Sequence, residues 1–330
     1  MAPLKLSLAC WNYDRVRALA DGSVRPDGIE IEFKTAPQVG QIMERAMRLD
    51  YDVAELGLTY YLRSLDLPDP PFIAIPVFPN RLFRHSAIFI NRASGIRTPQ
   101  DLAGKRMGEL HRYGHDAGIW AKGVLSDEFG VPADSYSYFV GGMDRPAPAE
   151  DWAPAAEPGH VRIHRLAPGQ TLDAMLEAGE IDALMSAWIP PSLLRGSPTV
   201  GRLFADYEAV ERDYFRRTGI FPMMHTVVVR RALYDEHPSI AASLVAAFQK
   251  AKEQVLANYR IGAGFFTPAL MIPWVAALQE ENRALMGDDP FPYGVAPNRK
   301  ALDTYLRYHF EQGLSRLWRI EEIFAPETLD

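Results

Sequence analysis

The sequence predicts an α/β protein built as two lobes, and three observations carry that expectation. Short β-like runs alternate with helical ones from the amino terminus, which predicts a mostly parallel sheet with covered faces. A second strand-helix-strand series opens near residues 94–105, and a strand and long helices return after Phe221. At 330 residues the chain exceeds the usual domain size. Two α/β units of this kind suit a bilobal protein whose cleft lies at the lobe boundary, where small-molecule sites form.

Leu4–Ala9 reads as the first strand, Tyr13–Asp21 as a short helix, and Ile29–Phe33 as a second strand after the turn Arg25-Pro26-Asp27-Gly28. Val39, Ile42, Met43, Ala46 and Leu49 recur at helical spacing and give residues 39–49 one apolar stripe. Asp52–Leu56 is the third strand candidate, followed by Gly57-Leu58-Thr59 and a helical Tyr60–Leu65. Phe72–Phe78 and Ser86–Asn91 are further strand-like runs, separated by a polar segment. Thr98, Pro99 and Asp101 fit the N-cap, N1 and N3 positions of a helical turn with the spacing of a capping box.

In the second series, Lys105–Glu109 predicts a strand, Asp116–Phe129 a helix and Tyr136–Val140 a strand. The stretch 141–159 carries Pro146, Pro148, Pro154 and Pro158 and is expected to be a loop. Val161–Leu166 is again a strand, Thr171–Glu177 a helix, and Ala183–Trp188 a strand ended by Pro190 and Pro191. Met224–Arg230 then predicts a strand, Ser239–Asn258 a long helix with Ile240, Leu244, Phe248, Ala251 and Val255 on one face, and Leu302–Leu317 another helix.

Composition narrows the function classes. A chain 48% hydrophobic and 23% charged is a packed globular one. Its net charge of −7, with no basic tail, supports solubility and argues against a nucleic-acid surface. No run approaches 18 uninterrupted apolar residues, so no transmembrane helix is expected. The first ten residues lack a basic leader and a long apolar run, so the expected compartment is the cytoplasm. The single cysteine, Cys10, forms no intrachain disulfide and ends an apolar strand, which favours the core over a nucleophile. Gly-x-Gly-x-x-Gly after the first strand, a Walker-type lysine loop and a Gly-x-Ser-x-Gly elbow are all absent, so nucleotide cofactors are not expected.

Four segments carry candidate chemistry. Trp11-Asn12-Tyr13-Asp14-Arg15 follows the first strand, where parallel sheets bind ligands; Trp11 and Tyr13 could stack on a planar ligand and Arg15 could hold a carboxylate, or Trp11 packs and Arg15 is solvated. Thr59, just past the third strand, joins the binding candidates. Asn80-Arg81-Leu82-Phe83-Arg84-His85-Ser86 places two arginines, whose paired donors match a carboxylate, beside a histidine able to move a proton near neutral pH. The alternative there is a solvated strand entrance.

The third segment is His111-Arg112-Tyr113-Gly114-His115. Its imidazoles are four apart, yet Gly114 interrupts the run and no third ligand follows, so no metal site is expected. It reads better as a loop into the helix Asp116–Phe129 whose backbone N–H groups could bind an anion, with Glu109 at the strand end. In the fourth, Phe221-Pro222-Met223-Met224-His225-Thr226, a histidine lies in an apolar strand and needs a hydrogen-bond partner, either in the core or facing a cleft.

These residues resemble those of the 4,5-dihydroxyphthalate decarboxylase family, similar in fold to type II periplasmic substrate-binding proteins. The resemblance rests on Asp14-Arg15 with Gly22 and Pro26-Asp27-Gly28-Ile29, on Tyr51-Asp52-Val53-Ala54-Glu55, and on Ile75-Pro76-Val77-Phe78-Pro79 through Arg84-His85-Ser86-Ala87-Ile88. It continues through Asp101-Leu102-Ala103-Gly104-Lys105-Arg106 and Gly219-Ile220-Phe221-Pro222-Met223-Met224-His225. It implies a type II periplasmic-binding-protein-like fold with an interlobe cleft, residues 1–92 and 219–330 forming lobe one and 93–218 lobe two. It also implies decarboxylation of an aromatic ortho-diacid without an organic cofactor. Departures fall at the basic loop 111–115 and at Ser186-Ala187-Trp188, where a large aromatic enters.

Such a reaction needs a positioned carboxylate, a protonated ring carbon and released carbon dioxide. Arg81 or Arg84 could clamp the carboxylate that stays. His85 or His225, which the resemblance brings to one lobe, could supply the proton or polarise a ring hydroxyl. Trp11, Tyr13 and Trp188 could form the walls. The expected partner is a small aromatic carboxylate, with neither nucleic acid nor membrane, and a homo-oligomer is left open. The alternative reading is a non-catalytic binding protein for a small carboxylate.

Overall fold

The computed structural model describes residues 3–147, 152–155, 158–264 and 270–330, and its contacts divide the chain into two compact units. The first comprises residues 1–81, 225–302 and 319–330; the second comprises 82–224 and 303–318. Positions 148–151 and 156–157 of the expected 141–159 loop, Pro148 among them, lie outside the described residues.

The strands in chain order are β1 Leu4–Ala9, β2 Ile29–Lys34, β3 Val53–Gly57, β4 Phe72–Ile75, β5 Ile88–Asn91, β6 Arg106–Leu110, β7 Ser137–Gly141, β8 Ile163–Arg165, β9 Ala183–Met185, β10 Val200–Arg202 and β11 His225–Arg230. The first unit's sheet runs β2-β1-β3-β11-β4. Strands β2, β1 and β3 pair in parallel, whereas β11 is antiparallel to both β3 and β4. Every residue of β3 is buried, as a strand covered on both faces requires. The alternating residues Val227 and Val229 of β11 join Leu6, Leu8, Ile73 and Ile75 in the core, against which the helix Ile240–Gly264 lays Leu244, Phe248 and Ala251.

The second unit's sheet runs β10-β5-β9-β6-β7-β8, parallel from β9 to β8 and antiparallel at β5 and β10. The helix Asp116–Phe129 keeps the bounds that its apolar pattern predicts and ends at Gly130 in the left-handed conformation. Residues 303–318 pack on this helix: a Cβ at Gly123 would lie 2.1 Å from the Tyr308 ring, so only glycine permits that approach. At the entrance to β6, Thr98 N–H donates to Asp101 Oδ2 at 2.7 Å over the turn Pro99–Leu102, the capping box its spacing predicts.

The unit boundaries differ from the expected ones. Ser86–Asn91 reads as the last strand of lobe one, but β5 within it pairs with β9 and β10 and so belongs to the second sheet. The change therefore falls after Arg81 rather than Arg92, and the return falls at His225 rather than Gly219. The chain enters the second unit again at Asp303, because Tyr305 and Tyr308 pack on Trp120 with ring centroids 5.7 Å apart in each case. The helices Tyr207–Thr218 and Val275–Met286 were not expected; both are strongly polar on their exposed faces and carry few apolar repeats.

Candidate functional site

In the first unit, register assembles a buried cluster around Glu55. Antiparallel pairing sets His225 opposite Gly57 and Val227 opposite Glu55, so His225 and Glu55 share one sheet face on a diagonal. Parallel pairing of Ala9 with Ala54 brings the segment after β1 level with Glu55. Glu55 has no exposed surface and accepts four hydrogen bonds: from Tyr13 Oη at 2.7 Å and His225 Nδ1 at 2.6 Å on Oε1, and from Trp11 N at 2.9 Å and Cys10 Sγ at 3.3 Å on Oε2. A carboxylate only accepts, so the Nδ1–H of His225 donates and Nε2 is the ring nitrogen left for other chemistry.

The charges follow from this geometry. Burial by itself would raise the Glu55 carboxyl, but the hydrogen bond and charge of His225, with the Trp11 amide and the Tyr13 hydroxyl, hold it below the ordinary carboxylate range. Burial pushes the Tyr13 hydroxyl and the Cys10 thiol upward, and the neighbouring Glu55 adds to both. Both therefore stay protonated donors. The Asn80 amide nitrogen lies 3.3 Å from His225 Nδ1 and 3.5 Å from Nε2. Trp11 is 40% exposed and meets Tyr13 edge-on with centroids 5.2 Å apart, so an aromatic face adjoins the buried dyad. A separate cavity of about 620 Å³ in this unit, lined by Arg15, Lys252, Tyr259, Ile272, Val275 and Phe291, includes neither Glu55 nor His225.

The second unit holds a comparable pair. Glu109, the penultimate residue of β6, is fully buried and bonded by Lys122 Nζ at 2.8 Å to each oxygen, by Gly114 N at 3.0 Å and by His115 Nδ1 at 3.1 Å. Burial would raise this carboxyl, but the Lys122 charge and the His115 hydrogen bond outweigh burial and lower it. Among the described residues no group of three or more His, Cys, Asp or Glu is arranged to hold a metal ion, and no described helix is long and apolar enough to cross a membrane.

No family model matches the chain. A 4,5-dihydroxyphthalate decarboxylase of Comamonas testosteroni is 35% identical over 332 residues, covering 100% of this chain and 99% of that protein. The chain belongs to the 4,5-dihydroxyphthalate decarboxylase family. It is accordingly a carbon–carbon lyase. A second decarboxylase of that name, from Pseudomonas putida, is 35% identical over 217 residues, 66% of this chain and 83% of its own. Among solved structures, the periplasmic sulfonate-binding protein SsuA of Methylobacillus flagellatus matches with TM-score 0.58 at 15% identity, covering 99% of this chain and 93% of that one. The desulfurization enzyme DSZB matches with TM-score 0.50 at 14% identity, covering 99% and 97%. These likenesses show the fold, that of type II periplasmic binding proteins.

The structure of this decarboxylase distributes the sequence candidates unevenly. His225 and Tyr13 join the Glu55 cluster, and Trp11 flanks it. Arg15 is not a solvated side chain: it stacks over the rings of Tyr13 at 4.2 Å and Phe291 at 4.7 Å and donates from Nε to the Pro79 carbonyl at 2.8 Å. Thr59 is fully buried at the start of the helix Leu58–Ser64.

Arg81 and Arg84 are both buried, contrary to a solvated strand entrance, and burial brings each guanidinium down to about 10, which leaves it charged at neutral pH. They differ in their bonds. Arg81 donates to the Pro292 carbonyl at 2.8 Å and to Asn298 Oδ1, so it ties down the segment before the last long helix. The Nε atom does not separate them, since that of Arg84, like that of Arg81, makes no hydrogen bond among the described residues.

His85 lies in the second unit, not with His225 in the first, because residue 82 onward follows β5. It is 1% exposed inside the rings of Phe129, Phe204 and Tyr214, and burial with the nearby Arg217 charge lowers it to about 4. Its Nδ1 is buried and has no hydrogen-bond partner among the described residues. His111 takes a positive φ of 63° and meets Trp188 edge-on with centroids 5.6 Å apart, while His115 turns to Glu109, so the two imidazoles diverge.

Sequence reasoning passed over Glu55 and Lys122 as site residues. The signal was available: each is a charged residue in an apolar run, Val53-Ala54-Glu55-Leu56 and Trp120-Ala121-Lys122-Gly123-Val124, the same anomaly that singles out His225.

Proposed function

We propose that this enzyme removes one carboxylate from a hydroxylated benzene-1,2-dicarboxylate, with 4,5-dihydroxyphthalate as its substrate and His225 as the proton donor. The single observation that carries the reading is the buried Glu55–His225 dyad in a chain that aligns over its full length with a decarboxylase of that name. In 4,5-dihydroxyphthalate each carboxylate is para to a hydroxyl, so the ring pushes electron density onto the carbon that bears it. That carbon takes a proton from Nε2 of the His225 imidazolium and forms a C–H bond. The bond to the carboxylate then breaks, its electron pair returns to the ring, and carbon dioxide leaves. The molecule is symmetric, so loss of either carboxylate yields 3,4-dihydroxybenzoate.

Glu55 stabilises the imidazolium and fixes its tautomer through Nδ1. Trp11 and Tyr13 offer the aromatic wall beside the dyad. The test is incubation of the purified protein with 4,5-dihydroxyphthalate, with carbon dioxide and ring products measured together. Equimolar carbon dioxide and 3,4-dihydroxybenzoate are expected. Saturable binding without carbon dioxide would replace this reading with that of a substrate-binding protein.

A further inference from the structure

Ring protonation by His225 makes no use of the separate cavity in the first unit. Its volume of about 620 Å³ lies within the span of about 300–1,000 Å³ that small-molecule sites occupy. Two helices supply most of its wall. The long helix Ile240–Gly264 contributes Val255, Leu256 and Tyr259, and the helix Val275–Met286 contributes Val275, Leu278 and Gln279. Of the 12 residues in the second helix only Val275 is buried. A helix of that length draws its stability from an apolar face packed against a neighbour, and this one sets Val275 and Leu278 over the cavity instead. Ile272 and Leu278, both in the wall, are left 52% and 45% exposed.

The charged groups of the wall are paired within the protein or exposed to water. Arg15 donates from Nη1 to Asp14 Oδ1 at 3.2 Å and from Nε to the Pro79 carbonyl at 2.8 Å, and Asp14 also accepts from Tyr259 Oη. Lys252 is buried and donates to Asp289 Oδ2 and, at 2.9 Å, to the Phe291 carbonyl. Arg283 pairs with Asp288 at 2.6 Å. Arg260 and Glu280 are exposed. An anionic ligand would give up its hydration here and meet only cations that already have partners or water, a cost that an uncharged ligand does not carry. What the wall presents inside is the rings of Tyr259 and Phe291 among branched aliphatic side chains.

We infer that this cavity is a second ligand site, which takes one small, uncharged, largely apolar molecule built on an aromatic ring. Bound there, the molecule supplies the apolar contact that Val275, Leu278 and Ile272 lack among the described residues, and so fastens the helix Val275–Met286 to the long helix. The site is separate in place from the Glu55–His225 dyad and opposite in chemistry to one that receives a dicarboxylate.

The test is a titration of the whole protein with N-phenyl-1-naphthylamine, an uncharged aromatic probe that fluoresces strongly in apolar surroundings. The wild type is expected to bind one equivalent saturably and to melt at a higher temperature with the probe bound. Ala276→Trp and Val255→Phe add bulk to the two helices that line the cavity, and each should weaken probe binding by about 10-fold or more. His225→Gln should bind the probe as the wild type does. In competition, 1-naphthol should displace the probe at least about 10-fold more readily than 1-naphthoate, its anionic counterpart. A wild type with no saturable binding overturns the inference. So does binding that both filling variants retain or that His225→Gln abolishes. Displacement by 1-naphthoate as readily as by 1-naphthol overturns the assignment of an uncharged ligand. None of these readings depends on release of carbon dioxide.

Discussion

A Cβ on Gly118 would lie 2.2 Å from Oε1 of Glu109, a carboxylate that cannot retreat because Lys122, His115 and the Gly114 amide hold it. Gly118→Ala should therefore displace the Glu109–His115 pair and destabilise the protein by roughly 1–3 kcal/mol, the scale of overpacking. Gly108→Ala is the control: its Cβ would meet only side-chain ends, 2.7 Å from Ile181 Cδ1 and 3.0 Å from Leu184 Cδ1. Both variants should melt earlier, Gly118→Ala by more, because its Cβ meets a carboxylate held in place rather than the ends of apolar side chains. A Gly108→Ala variant that melts as early as Gly118→Ala would contradict this.

Glu55→Gln should cut turnover by about 10²-fold or more, since an amide presents N–H to donors that need an acceptor and no longer stabilises imidazolium. Cys10, Trp11, Tyr13 and His225 all donate to Glu55, so the variant should also lower the melting temperature. His225→Gln should match it in rate with substrate affinity largely intact. Steady-state kinetics paired with calorimetric binding separate the two effects, and a His225→Gln enzyme with near-normal kcat would exclude His225 as the acid.

The two arginines should part company under mutation. Arg81→Gln loses bonds to Pro292 and Asn298 and should melt several degrees lower. Arg84→Gln breaks no hydrogen bond at Nε and should cost less in melting temperature than Arg81→Gln. Equal melting losses in the two variants would contradict this.

His85 should register in stability rather than rate. Its folded-state value of about 4 lies below the ordinary 6.5, so the unfolded chain binds the proton more readily. The stabilisation is complete above pH 6.5 and is lost as pH falls toward 4, up to roughly 3 kcal/mol at 1.36 kcal/mol per unit. His85→Gln should flatten that part of a denaturation-against-pH curve while turnover at neutral pH stays near normal. A pH dependence unchanged by the substitution would show that His85 is not held neutral.

Much of this protein was legible in its sequence. Strand-helix alternation and the apolar face of Ile240, Leu244, Phe248 and Ala251 are local periodicities, and they fix element type wherever burial repeats every two or 3.6 residues. The cost of burying a histidine in an apolar strand marked His225, and the blocks around Arg84-His85 and Phe221–His225 pointed to the family. Local pattern could not say which strand pairs with which. That β5 joins β9 and β10, and so places His85 in the second unit, depends on pairing between residues far apart in the chain, such as Asn91 with Val200.

The same limit applies to the site. The sequence offered Arg81 and Arg84 as equals, and only tertiary contacts with residues 292–298 committed one of them to structure. Glu55 and His225 stand 170 positions apart, yet β11 running antiparallel to β3 makes them a hydrogen-bonded pair. A charged residue in an apolar run shows from sequence that a partner must exist, because an unpaired buried charge is too costly. Which partner it finds is decided by register, which sets the distances on which hydrogen bonds depend.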